Sequence, residues 1–390
     1  MLLVAAVGCG GSDGNNKTVP GDGVVAGPDA YVDPSCTTPG VFPKLKAQLV
    51  ASGFTKPVYL TSPPGSTDLY IVEEGGKVKI VRAGQTLATP FLTMPDNQMP
   101  TQDSEGGLLS IAFHKDYAAN GRFFTYGTVT ENNQAVVREY KRSSNPDVAD
   151  PTKVGDLITQ PNDGNAEVGG TIIFGNDGLL YVSAGDGGNP PESADLTSRR
   201  GKILRIDVDS PGTAPSGNMP GGDPFIWDYG LRNVYRMSFD RKTHELYMAD
   251  AGDAKFEEVN IEQPGSGHHD FGWPRMEGDV CSDGSSSCNM AAATLPQYTR
   301  PHQTAFSVII GGSVYRGAAI PCLSGNYIYA VYGSEAHVLT WAWNGTSVSP
   351  ENDISLMLPE IVDPVGINED SAGELYVVTL SGKIYKIIQG

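Results

Sequence analysis

DLYIV at 68–72 returns as RFFTY at 122–126, LLYVS at 179–183, ELYMA at 245–249, NYIYAV at 326–331 and ELYVV at 374–378. Each copy follows a turn containing Gly, Asn or Asp and centres an aromatic in an apolar run. The aromatics are Tyr70, Phe124, Tyr181, Tyr247, Tyr329 and Tyr376, spaced 54, 57, 66, 82 and 47 residues apart. A second run follows each copy: KVKIV at 77–81, AVVREYK at 135–141, GKILRID at 201–207, EEVNIE at 257–262, HVLTWAW at 337–343 and GKIYKII at 382–388. Most of these alternate apolar and polar residues, the period of a half-buried antiparallel strand. Two such strands joined by a Gly/Asp turn make a hairpin. Six hairpins, with room for further strands in the gaps, predict an all-β, six-bladed β-propeller of four-stranded antiparallel blades. A pair of β-sandwiches explains six similar units less well.

Composition agrees. Glycine contributes 48 residues and proline 28, as many tight turns require. At 390 residues the length allows two or three ordinary domains, but propellers exceed that size as single units. The formal charge of −18 excludes a nucleic-acid partner, which needs a basic footprint, and reads as solubility. No apolar run reaches the roughly 20 residues that span a bilayer.

The N-terminus reads as a truncated lipoprotein signal over 1–9. LLVAAVG at 2–8 runs into Cys9, the residue that would carry lipid. Residues 10–40, rich in Gly, Pro, Asp and Asn, form a flexible tether. The propeller occupies 41–390. This organisation predicts export to the periplasm, outer membrane or cell surface, with membrane contact only through the lipid. Four cysteines then remain. Cys281 and Cys288 flank DGSSS and pair locally, which leaves Cys36 and Cys322. Four cysteines allow three connectivities.

Several segments exceed what turns and strands need: EGGLLSIAFHKDYAANGRFF (105–124), GGTIIFGNDGLLYVSAGDGG (169–188), GKILRIDVD (201–209), DYGLRNVYRMSFD (228–240), EEVNIEQPGSGHHDFGWPRMEG (257–278) and IIGGSVYRGAAIP (309–321). In this order they resemble the glucose/sorbosone dehydrogenase family, over roughly residues 45–390. The family includes soluble sugar dehydrogenases that use pyrroloquinoline quinone (PQQ) and the related Hedgehog-interacting-type propellers. The resemblance implies PQQ over the central channel, Ca2+ polarising its quinone, and a His that removes a proton from a sugar hydroxyl.

This chain departs from that pattern. The family's His position is held by Glu167 in Glu167-Val168-Gly169-Gly170, and the His partner is kept as Asp186. Glu167 as replacement base, tuned by Asp186, is the catalytic expectation. The resemblance assigns Glu105, Arg232 and Asn233 to the cofactor, and Arg316 is a further candidate cation. The Gly252-Asp253 turn would hold the cofactor Ca2+ through carbonyls. A second Ca2+ would take the Glu258 side chain and the carbonyls of Phe271 and Glu277. An Arg expected in the later blade is absent around GSEAHVL.

His268-His269-Asp270 has no third ligand at fixed spacing and reads as a polar loop. His114 reads as a turn cap. The expected activity is hydride transfer from a sugar or other small polyol to PQQ. The alternative is a non-catalytic propeller that binds a glycan or protein on the same face. A hydrolase using paired carboxylates is a third class.

Overall fold

A computed structural model describes residues 42–95, 105–131, 133–162, 166–302, 307–333 and 336–390. Cys9, Cys36 and the predicted tether up to residue 40 lie outside the described residues. The strands form six antiparallel blades. Blade 1 holds Pro57–Thr61, Leu69–Glu73 and Lys77–Arg82, with two short outer strands, Gln85–Thr86 and Leu92–Thr93, both pairing with the third. Blade 2 holds Leu108–Phe113, Arg122–Val129, Gln134–Arg142 and Ala149–Pro161. Blade 3 holds Ile172–Phe174, Leu180–Ala184, Lys202–Ile206 and Ile226–Tyr229. Blade 4 holds Val234–Phe239, Leu246–Asp250, Phe256–Glu262 and Tyr298–Pro301. Blade 5 holds Ser307–Val314, Asn326–Gly333, His337–Ala342 and Asn352–Asp353.

Blade 6 closes the ring. Its first three strands are Pro364–Glu369, Leu375–Thr379 and Lys383–Gln389, and its outermost strand is Leu45–Ser52 from the other end of the chain. The six predicted aromatics fall on the second strands of the six blades, and the predicted partner runs are the third strands. Tyr70, Phe124, Tyr181, Tyr247, Tyr329 and Tyr376 are all buried.

A blade cannot bury both of its faces alone. Six apolar clusters solve this, one at each junction between neighbouring blades around the ring. The junction of blades 4 and 5 stacks Tyr247 on Tyr327 with ring centres 5.1 Å apart and packs Trp341 against both. Each fully buried large side chain contributes about 1.5–3 kcal/mol.

Cys281 and Cys288 are disulfide-bonded, as predicted, clipping the loop after the short strand pair Met276–Glu277 and Val280–Cys281. Cys322 is also disulfide-bonded. Among the described residues no helix is long and apolar enough to cross a membrane.

Inside the ring, a cavity of about 420 Å3 lies at the end where the first strands finish. Arg236 lines it and reaches across the channel. Its Nη1 donates to Gly170 O at 2.8 Å and its Nη2 to Val58 O at 2.6 Å, joining blades 3 and 1 through blade 4.

Closure by Leu45–Ser52 makes the last third strand a sensitive place. Ile387 there is fully buried at 0% exposure. Ile387→Ala should cost about 2–5 kcal/mol, seen as a lower urea midpoint with an unchanged slope. An unchanged midpoint would show that the closing blade does not limit stability.

Candidate functional site

In each blade the first strand starts where the second strand ends, so these ends share one face of the ring. Glu105, Glu167, Asp186, Arg232, Asn233 and Asp253 all lie at such ends, on blades 2, 3 and 4. Sequence positions spread over 149 residues therefore meet at one mouth of the channel.

Glu167 sits at φ 45°, a left-handed conformation that a side chain with a Cβ adopts at a cost. Three contacts hold it there. Its N–H donates to Glu105 Oε2 at 2.8 Å, its carbonyl accepts from Gly187 N at 2.9 Å, and Arg232 Nη2 donates to its Oε1 at 2.6 Å. The crossing is too tight for side chains. A Cβ on Gly185 would meet Glu167 O at 1.9 Å, and one on Gly169 would meet Ser183 O at 2.1 Å. Asn233 Oδ1 accepts from Gly169 N at 2.9 Å, so blade 4 fixes the turn of blade 3.

Arg232 is the hub. It also donates to Ala251 O at 3.0 Å, approaches Asp253 Oδ1 at 3.5 Å and lies over Trp273, 5.8 Å from the ring centre. Its backbone N–H and that of Asn233 donate to the two oxygens of Asp250 at 3.0 and 2.6 Å.

Asp186 is buried at 1% exposure. Its carboxylate accepts from Gly188 N and from Trp273 Nε1, both at 2.8 Å. Both oxygens are thus engaged away from Glu167, and Asp186 braces the turn and Trp273. Burial pushes the Asp186 carboxyl up, Trp273 and Gly188 pull it down, and the charge of Glu167 adds a smaller rise. Burial also pushes Glu105 up, against the Glu167 N–H that it accepts.

The predicted metal residues divide in two. Gly252 and Asp253 border the mouth beside Arg232. Glu258 lies behind them, in cross-strand register with Asp250, and accepts from Gly278 N next to Glu277. The Glu277 side chain is committed elsewhere: its Oε1 accepts the successive N–H groups of residues 253–256 at 2.7–3.2 Å. Phe271 is buried with Trp227 and Leu231. Arg316 does not join the site. It stands past the end of its first strand, at the opposite mouth, in a two-pronged ion pair with buried Asp240 at 2.8 and 2.6 Å. That guanidinium satisfies a buried carboxylate and is not available to a ligand at the Glu167 face.

Trp273 and Asp250 were not singled out by sequence. Asp250 closes the ELYMAD strand, and only its register with Glu258 reveals it. Trp273 sits in the quoted FGWP segment, but nothing in the spacing ties it to Asp186.

Comparison with known proteins follows the same lines. The family described as Glucose / Sorbosone dehydrogenase matches residues 54–386. HIPL1 protein of Arabidopsis thaliana is 28% identical over 391 residues, 77% of this chain and 55% of that protein. Hedgehog-interacting protein of Homo sapiens is 27% identical over 400 residues, 87% of this chain and 52% of that protein. The chain thus spans about half the length of these relatives. The PQQ-bound form of aldose sugar dehydrogenase from Streptomyces coelicolor has a TM-score of 0.70 at 23% identity, covering 90% of this chain and 99% of that one. That is a likeness of fold.

Burial holds both Asp250 and Glu258 above the usual carboxylate range. The charge of Asp250 raises Glu258 further, while the Arg232 and Asn233 N–H groups restrain Asp250. A raised folded pKa means that the native state binds more protons, so stability falls as pH rises above about 4. Without divalent cations the melting temperature should fall between about pH 5 and pH 8, and Glu258→Gln should flatten part of the fall. Added Ca2+ should stabilise the wild type near pH 8 and the variant less. Equal pH profiles for the two proteins would count against this pair as a charge-strained site.

Proposed function

The chain belongs to the glucose/sorbosone dehydrogenase family, and from that premise we propose an exported sugar or alcohol oxidoreductase that uses PQQ and Ca2+. The observation that carries the reading is Glu167. A strained turn, braced from blades 2 and 4, holds one carboxylate at the channel mouth, 2.6 Å from a guanidinium. Backbone strain kept in place by several neighbours is characteristic of functional sites.

The residues fit PQQ under one condition. The quinone carries three carboxylates, and the mouth already holds Glu74, Glu105, Glu167 and Asp253 against Lys56 and Arg232. A divalent cation must therefore accompany it. Arg232 and Asn233 would hold the quinone, and the carbonyls of Gly252 and Asp253, with the exposed Asp253 carboxylate, would hold the cation. When bound, PQQ supplies the two-electron acceptor for the hydride. Glu167 takes the proton from the substrate hydroxyl. Arg232 aims the Glu167 carboxylate, and Glu105 fixes its backbone. Asp186 keeps Trp273 and the 186–188 turn in place from behind and does not itself reach the reacting atoms. An oxidising compartment fits the Cys281–Cys288 disulfide, and Cys9 is where a lipid anchor would be attached.

A second reading draws on the same ion pair. With Arg232 neutralised by Glu167, the face can serve as an acidic, non-redox surface for a glycan or a protein.

Titration of PQQ into the full chain with Ca2+, paired with dye reduction across aldoses, separates the two readings. The enzyme reading expects tight PQQ binding and sugar-dependent reduction. It also expects Glu167→Gln to lower turnover by about 100-fold or more while PQQ still binds. Absence of PQQ binding selects the binding propeller. Unchanged turnover in Glu167→Gln removes Glu167 as the base.

A further inference from the structure

Away from the mouth, between the outermost strand of blade 3 and the third strand of blade 4, two acids face each other inside the protein. Asp228 is 0% exposed and Glu262 is 4% exposed. Each carboxylate is anchored by one of its oxygens: Asp228 Oδ1 accepts from His269 N, and Glu262 Oε1 accepts from Trp227 Nε1, both at 2.8 Å. The second oxygens, Asp228 Oδ2 and Glu262 Oε2, are buried and have no hydrogen-bond partner. Two carboxylate oxygens left bare in an apolar setting are costly unless a cation or a shared proton lies between them.

A third ligand is in reach. One oxygen from each acid and one ring nitrogen of His269 lie within 4.8 Å of one another. Ligands about 2.1 Å from an ion stand up to about 4.2 Å apart, so small side-chain rotations close the set. The ring of His269 now contacts Thr294 Oγ1 through Nδ1 and Ser266 Oγ through Nε2, both at 3.1 Å, and one of these contacts would be exchanged for the ion. The other would orient the ring, as outer partners of metal-bound histidines do. Glu262 also borders a cavity of about 290 Å3, which offers an ion a route inward.

We propose that Asp228, Glu262 and His269 form a divalent transition-metal site that pins blade 3 to blade 4. Two carboxylates with one imidazole suit an ion that accepts both oxygen and nitrogen, such as Mn2+ or Zn2+. The site has a structural consequence. Residues 269–273 run beside 228–230, with Tyr229 N donating to His269 O, Phe271 N to Tyr229 O and Trp273 N to Gly230 O at 2.9–3.0 Å. A metal at the head of this pairing would hold the segment that delivers Trp273 to Asp186.

Burial and the neighbouring Glu262 carboxylate hold Asp228 well above the usual range.

The test uses the full chain, stripped with chelator and titrated with Mn2+ alone. The wild type and Glu258→Gln should each take up one equivalent that Asp228→Asn/Glu262→Gln does not. Pulsed electron paramagnetic resonance should show nitrogen coupling from the bound Mn2+, lost in His269→Ala. Because His269 is only partly buried, that variant tests the site if the double variant fails to fold, and its affinity should drop about 10-fold or more. Equal Mn2+ uptake by wild type and His269→Ala without nitrogen coupling would overturn the proposal. So would no uptake at all, which would leave the pair as a structural contact only.

Discussion

The guanidinium of Arg236 is buried inside the ring, and the geometry of the Glu167 mouth follows from it. It lies 3.9 Å from the ring centre of Tyr235 and 5.1 Å from that of Tyr59, and it donates to carbonyls of blades 1 and 3. Peptide carbonyls and aromatic faces replace its water without a carboxylate, which keeps a permanent charge buried at 2% exposure. Such an arrangement tolerates little displacement. Gly170 O must stay where it is, so the Glu167–Gly170 turn must pass where it does. A Cβ on Gly170 would meet Tyr235 O at 2.6 Å. The strained φ of Glu167 is the local consequence of a constraint set in the channel.

From that turn, order passes outward through blade 4. Asn233 caps Gly169, Arg232 grips Glu167, and the backbone of the same two residues is held by Asp250. Asp186 and Trp273 complete the brace from the loop side. The arrangement resembles an active site in its rigidity: the charged groups are fixed before any ligand arrives, so little reorganisation remains for binding. The same rigidity would also serve a recognition surface, and bound PQQ is what would make it a redox site.

The hairpins were legible in the sequence because their signal is local: aromatic runs, alternation and Gly/Asp turns lie within about 30 residues of each other. The fourth strands were not, since short pieces such as Asn352–Asp353 carry no periodicity and form only because a neighbour offers an edge. His114 acts as read, its Nδ1 accepting from Asp116 N at 3.1 Å. The site residues on blades 2, 3 and 4 were legible through motif order, but their partners were not. Nothing in VYRG distinguishes an Arg at the ligand face from one at the opposite mouth, because strand direction within the blade decides it. Likewise His268-His269-Asp270 holds only one member of the Asp228–Glu262–His269 cluster. The two acids stand on different blades, where spacing rules cannot see them.

A charge of −18 acts as a solubilising surface only where the acids face water. Many do not. Asp240 is buried with Arg316, Glu257 is buried with His302 at 2.5 Å, and Glu277 is buried under four backbone N–H groups. In each case the fold supplies a positive partner. The third strand of blade 4, Phe256–Glu262, carries Glu258 and Glu262 four residues apart on one face, and these two are paired with other acids, Asp250 and Asp228. Where two acids meet in this way, the partner that balances them must come from solution, as a proton at low pH or as a metal ion at neutral pH. The two cation sites proposed above would then lie along one strand, one behind the channel mouth and one between blades 3 and 4.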